Sequence, residues 1–153
     1  MSNAVNVAKQ IRKALKLHGI KGSVRKDGYN SVKVNLQDEL PAAIEAVKDF
    51  CAKFQCGHFN GMDDIYEYSN ARVDVPQVEY VFVVNKFSDE LKQAAWDWVR
   101  ENFGGFESAP SDYKNSSSFW HDGGLDGCRF VHQVLVGSIK GFWLDRKPRV
   151  KAA

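Results

Sequence analysis

The stretch Ser23–Leu36, SVRKDGYNSVKVNL, decides the fold. Val24 lies in one short alternating run with Ile20 and Gly22, and Val32, Val34 and Leu36 lie in another. For both apolar sets to reach one core, Val24 must pair with Val34, which leaves Asp27–Ser31 as the loop of an antiparallel hairpin. That register sets Arg25 opposite Lys33 on the exposed face. Like charges directly opposed across two strands are destabilising, so an anion is expected beside them, either a protein acid or a ligand.

Working outward, Ala4, Ala8, Ile11 and Leu15 recur at helical spacing before the hairpin. Lys9, Lys13 and Lys16 gather on another face of that helix, and Gly19 ends it. After the hairpin, QDELPAAIEAVKDFCAKF reads as a second helix. Asp38 is its expected cap, Pro41 sits in its first turn, and Ile44, Val47, Cys51 and Phe54 line one side. ARVDV (71–75) alternates like a strand. VEYVFVVNKF (78–87) is apolar on both faces, which predicts a central strand. Ser88 then caps a third helix, DELKQAAWDWVRENF, with Leu91, Ala95 and Trp98 on one side. Trp96 and Phe103 lie off that stripe and are expected to meet the C-terminal segment, where Cys128, Val131, Leu135 and Ile139 fit a helical face.

These elements predict one α+β domain over 1–153: a small, mainly antiparallel sheet with helices packed on it, plus a C-terminal helical extension. The core occupies about 4–103, a Gly/Ser-rich linker 104–124, the extension 125–145 and a basic tail 146–153.

No apolar run approaches the length of a membrane span, and the N-terminus lacks a signal-peptide hydrophobic region. A cytoplasmic protein with no membrane partner is expected. Three cysteines, an odd number and scattered, argue for reduced thiols rather than a disulfide framework. The net charge of +2 hides an asymmetry. Up to Leu36 the only acid among the basic residues is Asp27, from Lys140 onward the only one is Asp145, and the middle is strongly acidic. Such polarity makes an anion-binding surface or lets oppositely charged segments neutralise each other.

FNGMDDIYEY, Phe59–Tyr68, concentrates acids and aromatics around a turn. His58, Asp63, Asp64 and Glu67 could be drawn as ligands for a hard divalent ion. The chain offers no second histidine at helical ligand spacing and no calcium-loop pattern, so a solvated acidic turn is the favoured reading. Cys128 and His132, four apart on a helix, have the residue types of a nucleophile and base, but the same spacing places Cys128 in an apolar stripe. Ser-rich 116–118 followed by His121 and Asp122 supplies triad residue types without triad geometry. Neither a phosphate loop nor a dinucleotide fingerprint occurs, and HDGGLDG (121–127) reads as a turn, so no cofactor is expected. Nucleic-acid binding has firmer support: the lysines of the first helix, Arg25, Lys33 and the tail could neutralise phosphates, while Tyr29 and Trp120 could stack on bases.

Taken in order, the basic helix, the SVRKDGYNSVKVNL hairpin, the Pro-led helix, the FNGMDD turn and a strand ending in Phe-Ser resemble the large polyvalent protein-associated domain 29 family. The matching positions are Ser23, Val24, Arg25, Asp38, Pro41, Phe59, Gly61, Met62 and Asp64, within about Val5–Phe103. Asn60 stands where the family pattern has Asp, Leu36 where it has Trp, and Gly22 where it often has Phe. With one carboxylate gone at Asn60, a metal role loses ground. Asn60-Gly61 suits a turn with positive φ, which Phe59 and Met62 would anchor on the core while Asp63 and Asp64 stay exposed.

The resemblance implies an accessory protein of phages or plasmids that meets a host factor after DNA entry. The leading expectation is an antagonist of host defence, of the anti-CRISPR or anti-restriction type, acting in the host cytoplasm on a host protein or nucleoprotein complex. The alternative is a nucleic-acid-binding protein of a mobile element, and an enzyme is the third reading. The residues expected to touch a partner are Lys9, Lys13, Lys16, Arg25, Lys33, Asp63 and Asp64.

Overall fold

Helix α1, Asn3–Leu17, buries Ala4, Val7, Ala8, Ile11 and Leu15 along one stripe. It stops where the sequence puts Gly19, whose φ of 68° is left-handed. Ile20 N–H then reaches Leu15 O at 2.9 Å and Gly19 N–H reaches Lys16 O at 3.2 Å. This pair of bonds closes the open carbonyls of the last turn. Strands β1 (Gly22–Lys26) and β2 (Ser31–Gln37) follow in the expected register, with Val24 opposite Val34 and Arg25 opposite Lys33.

In the computed structural model, the described residues are 3–106, 109–113 and 127–143, the side chains of 127 and 128 excepted. They belong to two compact units, one built from 3–86 and the other from the described residues between 87 and 143.

In the first unit, helix α2 (Pro41–Cys51) and a 3-10 turn (Ala52–Phe54) lead to a short hairpin of β3 (His58–Asn60) and β4 (Ile65–Glu67). Strand β5 (Tyr80–Lys86) then pairs parallel to β2. The main sheet is therefore mixed, in the order β1-β2-β5, beside the antiparallel β3-β4 pair. Its core face carries Val24, Val32, Val34 and Leu36, joined by α1, by Val47 and Cys51 of α2, and by Phe54 and Val78.

Several expectations are corrected here. Strand β5 is an edge strand of the described sheet and β2 the central one; on the second face of β5, Phe82 is half-exposed while Tyr80 and Val84 are partly buried. ARVDV forms no strand, because Arg72 folds back on its neighbours, donating from its backbone to Gln77 Oε1 and from its guanidinium to Asp74. Asp38 does not cap α2, whose N-cap is Leu40 with no side-chain bond. Instead Asp38 takes a left-handed φ of 54° and donates its N–H to Lys86 O.

In the second unit, Ser88 caps α3 (Asp89–Asn102) by accepting from Leu91 N–H at 3.2 Å. The sequence placed α3 with the segment 4–103 and a linker after it. In the structure α3 builds the second unit's core, where Ala95, Trp96 and Val99 meet Phe106, Phe142 and helix α4 (Gly127–Leu135). Trp96 is the buried centre, edge-on to Phe106 at 5.3 Å and donating to Pro110 O at 2.8 Å. Phe103 meets Phe130 of α4 at 5.1 Å, as expected.

Candidate functional site: the open face of the sheet

Side chains alternate across a strand, so the positions between the core residues of β1, β2 and β5 share the other face. Neither α1 nor α2 packs there, since both contribute to the core on the first face. The register sets Arg25, Lys33 and Phe82 in one row across the sheet, Ser23, Asn35 and Val84 in the next, and Ser31 beside Tyr80. Lys86 lies at the end of the same face, opposite Gln37. Three cations stand in these rows, and Asp27, whose N–H donates to Ser31 O at 2.8 Å, continues the first of the strands at the loop end. Phe82 is 45% exposed.

The Tyr80 and Phe82 rings lie nearly parallel, 7° apart in plane with centroids 5.6 Å apart. The β3-β4 hairpin continues the aromatic series. Tyr66 meets Tyr80 edge-on at 5.5 Å and Tyr68 at 5.0 Å. Tyr66 is fixed at its far end, where its hydroxyl donates to Glu79 O at 2.6 Å and lies 3.7 Å from Cys56 Sγ. Burial, followed by the Cys56 contact, pushes the Tyr66 hydroxyl well above the usual phenol range. It therefore stays a neutral donor at physiological pH.

Arg25 and Lys33 join no ion pair among the described residues. The anion expected beside them is therefore not supplied by an ion pair of a described residue.

The other expected contact residues are elsewhere. Lys9, Lys13 and Lys16 are exposed on the side of α1 about 150° round from its buried stripe at 100° per residue. Since α1 packs on the core face, the basic surface drawn as one from the sequence is two. Asp63 and Asp64 are exposed at the tip of the β3-β4 hairpin. Positive φ falls on Asp64, at 54°, and not on Gly61. Asn60 organises the turn: its Oδ1 accepts from Met62 N–H at 3.0 Å, and its Nδ2 donates to Glu67 Oε1 at 2.7 Å and Asp63 Oδ2 at 3.2 Å. Phe59 and Met62 do not anchor the turn on the core, for Met62 is 95% exposed and Phe59 about half so. A two-stranded ribbon this short has no second layer to receive them.

His58 Nε2 sits 3.2 Å from Glu67 Oε2, and its Nδ1 lies 2.9 Å from Ser69 Oγ. No three His, Cys, Asp or Glu side chains converge as metal ligands would, among the described residues. His132 is exposed on α4, while the side chain of Cys128, and Trp120, His121 and Asp122, lie outside the described residues. Tyr29, at the β1-β2 loop, is 88% exposed.

The sequence reading missed the ring series of Phe82, Tyr80, Tyr66 and Tyr68. One signal for it was available: β5 is apolar on both faces.

Fold and face together define a small α+β module with a cationic and aromatic sheet face on which neither helix of the first unit packs. The chain belongs to the family of the large polyvalent protein associated domain 29, whose profile matches residues 2–94. That membership associates it with phage and mobile-element proteins. The match includes every residue of the open face. No curated protein and no solved structure matches the chain. Among the described residues no helix is long and apolar enough to cross a membrane.

Proposed function

We propose that this chain is a mobile-element module that binds single-stranded nucleic acid on the open face of its sheet. The observation that carries the reading is the row Arg25, Lys33 and Phe82, with Tyr80 parallel to Phe82. Flat rings offer bases a stacking platform that tolerates any sequence, and the flanking cations take the phosphates. A duplex keeps its bases paired and inaccessible to such rings, so the face selects single strands.

The test is fluorescence anisotropy with a labelled oligothymidylate and a duplex of equal length. Three phosphate contacts, at Arg25, Lys33 and Lys86, give a log Kd against log salt slope of magnitude about 2 for a single strand. Phe82→Ala should weaken binding by about 1–3 kcal/mol, the worth of one stacked base. Equal affinity for duplex and single strand, or no effect of Phe82→Ala, would remove the reading.

A second reading, a host-defence antagonist acting by protein–protein contact, is favoured by the β3-β4 hairpin. There Phe59, Met62 and Ile65 stand exposed next to Asp63 and Asp64, a combination suited to a basic, apolar groove on a partner. Met62→Asp should abolish such a complex on a sizing column and leave oligonucleotide binding unchanged.

A further inference from the structure

The outer edge of β5 carries a second binding feature, separate from the open face. Asp38 N–H takes Lys86 O on the β2 side of the strand, while Val81 N–H points the other way and is met by Gln55 Oε1 at 3.0 Å. Backbone groups alternate along a paired strand, so Val83, like Val81, directs its N–H and C=O away from β2. Upstream, the edge is covered: Val78 N–H donates to Phe54 O at 2.8 Å and Cys56 N–H donates to Val78 O at 3.0 Å. Downstream of Gln55 this cover stops, and among the described residues nothing meets the Val83 N–H. The opposite edge of the sheet is guarded by a side chain, with Arg12 Nε donating to Val24 O at 2.8 Å. Open edges are usually blocked in this manner, which makes the Val83 segment an exception.

Beside that segment lies an open groove of about 420 Å³ between β5 and α2. Val81, Val83, Cys51 and Ala52 give it apolar walls, Gln55 lies along it, and Lys48, in an exposed pair with Glu45 at 3.7 Å that water screens, supplies a cation. We propose that this groove takes an extended segment of a partner protein as a fourth strand, apolar at alternate positions and bearing a carboxylate that meets Lys48. Main-chain bonds to Val83 give affinity, and the groove walls and Lys48 give selectivity, as in other strand-addition sites. From Val81 O to Asn85 N the edge spans roughly 13 Å at ~3.3 Å per residue, room for three or four residues of the added strand.

Three fluorescent hexapeptides test the proposal: acetyl-Thr-Val-Thr-Val-Thr-Glu, its analogue N-methylated at alternate amides, and the version ending in Lys. Amide hydrogen exchange of Val83 is read in parallel. In the free protein Val83 should exchange at least about tenfold faster than Phe82 and Val84, whose amides sit in the ladder. The Glu peptide should bind and slow Val83 exchange. N-methylation should abolish binding, and Lys48→Glu should invert the preference between the Glu and Lys peptides. Oligothymidylate binding should be unaffected by a saturating peptide, which separates this site from the open face. Failure of the Glu peptide to bind, binding that leaves Val83 exchange unmoved, or a Val83 amide as slow as its neighbours in the free protein would each overturn the proposal. So would a stable dimer that protects Val83 without peptide.

Discussion

Lys33→Glu should move stability and binding in opposite directions. Arg25 and Lys33 are directly opposed in the β1-β2 register. Two such charges about 6 Å apart repel by about 0.7 kcal/mol in water, roughly halved by physiological salt. Reversing one of them replaces repulsion by attraction, so the variant gains about 0.5–1 kcal/mol, in the range of measured cross-strand pairs. In melting temperature that is a rise of about 2–6 °C for a unit of this size. The gain should vanish near 1 M salt, where the screening length is about 3 Å. Oligothymidylate binding should fall at least about tenfold, and the magnitude of its salt slope by about 0.7 or more, because a phosphate contact is lost and a repelling charge is added. Lys13→Glu is the control. It lies on the outward side of α1, and should leave affinity within about twofold and stability within about 0.5 kcal/mol. A lowered melting temperature for Lys33→Glu would mean that a carboxylate of the protein already serves Lys33, and unchanged oligonucleotide binding would refute the assignment of the face.

Three further outcomes follow from the packing of the first unit. Burial pushes the Cys51 thiol from its ordinary 9.0 up to about 11, opposed by the charge of Lys53. The folded chain therefore holds that proton more tightly than the unfolded chain, giving stability that is complete below about pH 9 and lost as pH rises through about 11. Cys51→Ala should flatten that alkaline limb in thermal melts from pH 8 to 11, and a limb of unchanged steepness would refute the linkage; a thiol reagent should label half-buried Cys56 before Cys51. Gly57 lies so close to β4 that an added Cβ would stand 1.8 Å from Glu67 O, whereas one on Gly61 would meet nothing within 4 Å. Gly57→Ala should cost more than about 3 kcal/mol in urea unfolding and Gly61→Ala less than about 0.5, and equal costs would show that the hairpin backbone yields. Asn60→Asp exchanges an amide that donates to Asp63 and Glu67 for a third carboxylate. It should destabilise by about 1–2 kcal/mol at neutral pH and recover as pH falls below about 4, so a loss independent of pH would count against charge as its cause.

What was legible in the sequence was local. The α1 stripe, Gly19, the Ser88 cap and the Val24–Val34 register each depend on residues within a few turns or one hairpin of each other. Long-range placement was not legible. The reading of β5 as central rested on its apolar character, yet its position at the edge is set by a parallel pairing with β2 that follows α2 and the whole β3-β4 hairpin. The aromatic series escaped for the same reason, since Tyr66 and Tyr80 meet only after that crossover. One pairing also makes sense only in three dimensions. Gly22 and Leu36 are cross-strand partners, and Leu36 Cδ2 stands 2.6 Å from where a Cβ on Gly22 would be. Leu36 thus occupies the room that a side chain at position 22 would need.

Apolarity on both faces of a strand is ordinarily a sign of double burial, because water penalises an uncovered apolar surface. Strand β5 keeps that composition with Val81 and Val83 turned to the core and Phe82 turned out, half-exposed, in a row with Arg25 and Lys33. Folding gains from the half of the ring stacked on Tyr80 but nothing from the half left in water, and it loses something from opposing two cations beside it. Both costs are removed by one occupant that brings flat apolar surface for the ring and negative charge for the cations. A nucleic acid strand carries both on every nucleotide, whereas an acidic protein must assemble them from separate side chains. That difference is why the open face, rather than the lysines of α1 or the acidic hairpin tip, is the surface proposed for a nucleic acid.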